Sequence, residues 1–179
     1  MEKNGIVKDW QIIVDKFGPQ VWATAYRLLG NHADASDCFQ ETFLSALEVS
    51  KRERIRNFPA LLTRICTTRA IDQLRQRIRN QQRNVPDPDM ESIADVDRHP
   101  AAQIRVEELS AQLQQAIAQL PEQEAQVFCL RHFNEMSYKQ IAKQLGIRLS
   151  KTGVLLHRAR KRLRDLLEPQ SEKSCEVVL

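Results

Sequence analysis

The stretch that decides the fold is Met136–Leu167, MSYKQIAKQLGIRLSKTGVLLHRARKRLRDLL. Tyr138, Ile141, Ala142 and Leu145 recur at i, i+3, i+4 and i+7, one apolar face of a helix, with Ser137 placed to cap its first turn. Gly146 then ends that helix, since a residue without Cβ takes the left-handed turn at little cost. A second helix is expected from about Ser150, burying Thr152, Leu156, Ala159, Leu163 and Leu166 or Leu167. Between Arg148 and Arg164 stand seven Lys/Arg and no acidic residue. An ordinary solvated helical hairpin would show the same periodicity. The uncompensated positive charge on its second helix instead suits a helix-turn-helix that places side chains in a DNA major groove.

Working outward, the composition is that of an all-α chain. Among 179 residues there are five glycines and 6% aromatics, and no run of alternating β-branched residues is long enough to predict a strand. No apolar run approaches the roughly 18 residues of a membrane span. The opening MEKNGIVKDW lacks the apolar core of a signal peptide, so the expectation is a cytoplasmic protein without membrane insertion. Cys38, Cys66, Cys129 and Cys175 are scattered, with no CxxC and no paired histidine spacing, so neither disulfides nor a metal site nor a cofactor is expected. The first three fall on apolar helix faces and read as core residues; Cys175 lies in a polar tail. His32, His99, His132 and His157 stand in no metal or triad spacing, which argues against an enzyme.

Charge divides the chain. Residues 1–83 hold 14 Lys/Arg and 9 Asp/Glu, residues 84–108 hold 2 and 7, and residues 109–167 hold 10 and 4. Two basic bodies flanking an acidic tether imply two small helical domains that face polyanions. The boundaries are read as 1–83, an acidic linker 84–100 with three prolines and five carboxylates, 101–168 with the helix-turn-helix, and a tail 169–179. In the first domain, helices are predicted near Val7–Phe17 and Gln20–Leu29, broken at Gly18-Pro19, then at Ala33–Leu47. A charged loop Glu48–Asn57 follows, and then a helix from Asn57 and Pro59 to about Arg79. The second domain opens with a helix Ile104–Leu120, with Leu109, Leu113, Ala116, Ile117 and Leu120 as its apolar stripe, and continues with Glu122–Phe133.

Three stretches in this order, FGPQVWATAYRLLGNHADASDCFQETFLSAL, FPALLTRICTTRAIDQLRQR and LQQAIAQLPEQEAQVFCLRHFNEMSYKQIAKQLGI with LLHRARKRLRDLL, resemble the extracytoplasmic-function (ECF) group of bacterial sigma factors over about residues 10 to 167. The resemblance implies a subunit without catalytic activity that directs core RNA polymerase to promoter DNA. It also implies an anti-sigma partner, often membrane-bound, that covers the same surfaces. The rival reading from the residues is a free-standing helix-turn-helix regulator that binds DNA without polymerase.

Particular residues follow. Opposite the core, the Ala33–Leu47 helix and its end carry Asp34, Asp37, Gln40, Glu41 and Glu48, an acidic face suited to a basic partner surface. The resemblance places polymerase binding on Asp37, Gln40, Glu41 and Leu44. Arg64, Thr68, Asp72, Arg75 and Arg79 form a polar stripe at helical spacing, flanked by Arg69, Arg77 and Arg83, able to track phosphates and stack on unpaired bases. Asp72 at i, i+3 from Arg75 reads as an internal ion pair. By the resemblance, the loop residues Lys51, Arg52, Arg54 and Arg56 and the stripe residues Arg64, Thr68, Arg75 and Arg79 are the expected contacts to the minus-ten region. Relatives often carry Asn where this chain has Thr68, Trp where it has Leu61 or Leu62, and Lys, Ser and Arg where it has Gly153, Val154 and Leu155. The resemblance places contacts to the minus-thirty-five element on Arg148, Ser150, Lys151, Leu155, which either meets a thymine methyl or simply packs, Arg158, and Arg162 on phosphate.

Overall fold

A computed structural model describes residues 10–83 and 101–168; the acidic linker, the tail with Cys175 and the first nine residues lie outside the described residues. The described residues form seven helices and no strand, as an all-α chain should. They are α1 (Trp10–Leu29), α2 (His32–Arg52), α3 (Phe58–Arg83), α4 (Ala101–Gln119), α5 (Glu122–His132), α6 (Tyr138–Leu145) and α7 (Leu149–Leu167). They group into two compact units that divide inside α3, between Ala70 and Ile71.

In the first unit α1 runs unbroken through Gly18-Pro19, where two helices were expected. Much of the clash that keeps a pre-proline residue out of the helix comes from its own Cβ, and here that residue is a glycine. Gly18 is buried beside the Phe39 ring, while Pro19 is exposed. Burial of Val21, Ala25, Leu28 and Leu29 then carries the helix past the missing N–H. The α2 helix begins on an Asn31 cap whose side chain accepts from the Asp34 N–H at 2.8 Å. The face expected to be buried is so at Ala35, Cys38, Thr42, Phe43 and Ala46. This helix also runs five residues past the predicted Leu47, to Arg52. The Glu48–Lys51 pair spans its last turns, and Lys51 and Arg52 sit at the negative end of its dipole. Leu62, Cys66 and Ala70 of α3 complete the core. The Cys66 thiol donates to the Val21 carbonyl and the Cys38 thiol to the Cys66 carbonyl, both at 3.6 Å, so these are core thiols.

In the second unit Ser137 and Gln140 form a reciprocal capping box at the start of α6, and Gly146 ends it with φ +65°. Val127, Leu130, Ile141, Leu155 and Leu156 form the core that seats α6 and α7 on α5. Tyr138, assigned to the apolar face, is more than a third exposed, with the Arg131 guanidinium 5.8 Å from its ring centroid. Leu109 also departs from its expected stripe and is exposed, whereas Ala116, Ile117 and Leu120 are buried. Cys129 is wholly buried, which pushes its thiol up and leaves it unreactive.

Candidate nucleic-acid and partner surfaces

On α2 the phase that buries Cys38 and Thr42 turns Asp37, Gln40, Glu41 and Leu44 to solvent, with Leu44 62% exposed. Glu41 is tied to α3: Arg69 Nη1 donates to Glu41 Oε2 at 2.6 Å and Nη2 to Ser45 Oγ at 2.7 Å. Arg69, expected beside the α3 polar stripe, thus belongs to the acidic face of α2. Lys51 donates to Glu48 and holds its carboxyl below the ordinary carboxylate value.

The charged loop is shorter than predicted. Lys51 and Arg52 are helical, and only Glu53–Asn57 is irregular, with Arg54 and Arg56 exposed on it. Asn57 caps α3 as expected, accepting from the Ala60 N–H at 3.1 Å. Phe58, the aromatic nearest the loop, packs edge-on against Trp10 with 5.9 Å between ring centroids.

The polar stripe of α3 divides into two kinds of residue. Arg64 and Arg79 are exposed, and Thr68 is half-buried. Arg75 is spent within the second unit. Its Nε donates to the Ala118 carbonyl at 3.3 Å and its Nη2 to the Leu120 carbonyl at 2.9 Å, and Asp72 lies 3.7 Å away. A guanidinium there satisfies the carbonyls that the end of α4 leaves without intrahelical partners. Arg77 donates to Gln114 Oε1 at 2.8 Å. The expectation that Arg75 faces nucleic acid is therefore replaced by a capping role. A contact more than forty residues away in sequence leaves no local signal.

The α7 helix presents the densest positive charge. Arg148, Ser150, Lys151 and Arg158 are exposed. The turn and the first turns of α7 enclose a shallow concavity of about 570 Å³ lined by Gly146, Ile147, Arg148, Ser150, Lys151 and Val154. Two expectations change here. Leu155 is only 7% exposed and packs with Val127, Leu130, Ile141 and Leu156, so it cannot meet a base; its neighbour Val154, 48% exposed, offers the apolar surface instead. Arg162 Nε lies 3.0 Å from Oε2 of Glu124, a carboxylate on the first turn of α5 whose side chain is 6% exposed. Its guanidinium is the counter-ion of a buried acid, not a free phosphate ligand. On the other flank Arg160 Nη2 approaches His132 Nε2 at 3.3 Å. Burial, then Arg160 and Arg131, lower the His132 pKa below its ordinary 6.5. Glu124 and Val154 are the residues that sequence reasoning missed.

Among the described residues no three His, Cys, Asp or Glu side chains converge as metal ligands, and no helix is long and apolar enough to cross a membrane.

Comparison with known proteins gives a consistent result. Residues 13–80 match the family described as Sigma-70 region 2, and residues 110–163 match Sigma-70, region 4. The chain is 30% identical over 167 residues to the ECF RNA polymerase sigma factor SigE of Mycolicibacterium smegmatis, covering 93% of this chain and 65% of that protein. It is 29% identical over 172 residues to the ECF RNA polymerase sigma factor SigW of Bacillus subtilis, covering 92% of each. Among solved structures, the sigma factor RpoE in complex with the anti-sigma factor NepR from Bartonella quintana is similar. It has a TM-score of 0.53 and 26% identity, and the match covers 92% of this chain and 99% of that one.

Proposed function

The chain belongs to the extracytoplasmic-function group of RNA polymerase sigma factors, and from that premise we propose that it directs core polymerase to a specific set of promoters and helps open their minus-ten region. The observation that carries this reading is the exposed flank of α7. Arg148, Lys151 and Arg158 recur there with no acidic neighbour, beside a concavity that admits a base edge or methyl group. Charge on the exposed face of the helix-turn-helix supplies phosphate affinity, and Ser150 and Val154 supply polar and apolar contacts inside the groove.

The acidic face of α2, with Asp37, Gln40, Glu41 and the exposed Leu44, docks core polymerase. The residues offered to the minus-ten region are Lys51, Arg52, Arg54, Arg56, Arg64, Thr68 and Arg79. Two modest surfaces on one chain reinforce each other through effective concentration once polymerase fixes their spacing. The protein makes and breaks no bonds itself, and it works where polymerase works, in the cytoplasm. An anti-sigma partner, soluble or membrane-anchored, binds it and holds it inactive; the binding is supported by the RpoE–NepR complex.

The test is reconstitution: purified core polymerase plus this chain should yield discrete transcripts from a genomic library, and core alone should not. Tight duplex binding by the isolated protein, unaffected by polymerase, would instead favour a free-standing regulator.

A further inference from the structure

Glu124 has no role in the reading above. Its side chain is 94% removed from solvent, yet it carries charge on the first turn of α5 and meets the α7 guanidinium of Arg162, whose own side chain is 56% exposed. Glu124 Oε2 makes no directed hydrogen bond, so ion-pair proximity to Arg162 is what compensates it. A buried carboxylate left without its counter-ion is costly, and the acid therefore keeps the arginine. Along α7, Lys151, Arg158 and Arg162 stand at i, i+7 and i+11, one stripe of the helix. Arg162 lies one turn beyond Arg158 on the flank proposed to meet DNA, where a helix leaving the groove passes the phosphate backbone.

We propose that Glu124 is a positioning residue that withholds Arg162 from the phosphate backbone and so limits sequence-independent DNA binding. This rests on the reading of α7 as the DNA-facing helix. Phosphate contacts add affinity for every sequence alike, while base contacts add it only for the cognate one. A reserve cation held by an internal acid keeps the first contribution small. At the same time it fixes α5 against α7, and hence the pitch of the helix that carries the second.

The experiment measures binding of the full chain, alone and with core polymerase, to a non-specific duplex and to a promoter duplex over a range of NaCl concentrations. Glu124→Gln, which keeps the side-chain shape and removes the charge, should steepen the slope of log affinity against log salt by about 0.9 on both duplexes. It should tighten binding to both duplexes by a similar factor, roughly three- to tenfold at 50 mM NaCl, leaving the ratio of specific to non-specific affinity unchanged. A folded Glu124→Gln protein with an unchanged or shallower slope overturns the proposal. The doubly neutral Glu124→Gln/Arg162→Gln protein serves where the single variant fails to fold. A wild-type slope is expected of it, since Arg162 contributes no contact in the wild type. A slope shallower by about 0.9 would mean that Arg162 already touches phosphate, and the proposal falls. If the wild type itself shows no salt-dependent duplex binding in either setting, it is the DNA-binding assignment of α7 that fails.

Discussion

The Glu41–Arg69 and Glu124–Arg162 pairs differ in what surrounds them. In the first unit Glu41 and Arg69 are 48% and 39% exposed, and water screens their attraction. In the second Glu124 is 6% exposed, and water can replace its Arg162 guanidinium only at the cost of opening the fold. An exposed pair exchanges partners at little cost and can sit on a docking face. A buried pair cannot, and it becomes part of the scaffold. The same lesson separates the arginines of this chain. Arg148 and Arg158 are exposed with no acid within ion-pair distance among the described residues, as the proposed DNA contact requires, whereas Arg75 and Arg162 resemble them in sequence and are spent holding helices.

The largest expected effect breaks the second unit at its core. Leu155→Ala should destabilise by about 2–4 kcal/mol in urea unfolding, and Val154→Ala by less than about 0.5 kcal/mol. Equal losses would place both residues on the surface or both in the core. The next sharpens the contrast between the pairs. Arg162→Ala should cost about 2 kcal/mol, discounted because its guanidinium is partly solvated, and Arg69→Ala at most about 1 kcal/mol. If Arg69→Ala is the costlier of the two, exposure is not what distinguishes the pairs. Arg158→Ala should leave stability unchanged while weakening duplex binding five- to tenfold, about 1 kcal/mol, and lowering the salt slope by about 0.9.

Smaller still, Gly153→Ala should stabilise α7 by up to about 1 kcal/mol. A Cβ there meets only the Tyr138 ring at 4.0 Å, and a helical glycine costs that much relative to alanine. A lower unfolding midpoint would show that the site is more crowded than it looks. The least effect concerns His132, whose pKa is lowered from 6.5 by burial, then by Arg160 and Arg131. The unfolded chain therefore takes up a proton first as pH falls through 6.5, and stability declines below that value. His132→Asn should flatten the loss between pH 7.5 and 5.5, and an unchanged pH profile would remove the histidine from the account.

Much of this was legible in the sequence. The α6–Gly146–α7 hairpin, the buried face of α2 and the Asn57 cap follow from local periodicity and capping chemistry, which act within one turn. Elements governed by distant contacts were not legible. The continuous α1 needed Gly18 packed beside Phe39, and Arg75 needed the far end of α4. Helical periodicity put Leu155 within reach of either face, and only the packing of α5 against α7 chooses between them. Among the candidate residues, exposure was legible for charged side chains such as Arg148 and Arg158, which local phase alone turns outward. Those whose charge is answered across the fold were not legible.

The central claim is that two separable surfaces serve two partners, and a paired measurement tests it most directly. Core-polymerase affinity and promoter-duplex affinity of the resulting holoenzyme are to be measured for Glu41→Lys and Arg158→Ala. The account predicts that Glu41→Lys loses at least about tenfold in core affinity, while Arg158→Ala keeps core affinity and loses only duplex affinity. Loss of core affinity in Arg158→Ala, or none in Glu41→Lys, would contradict it.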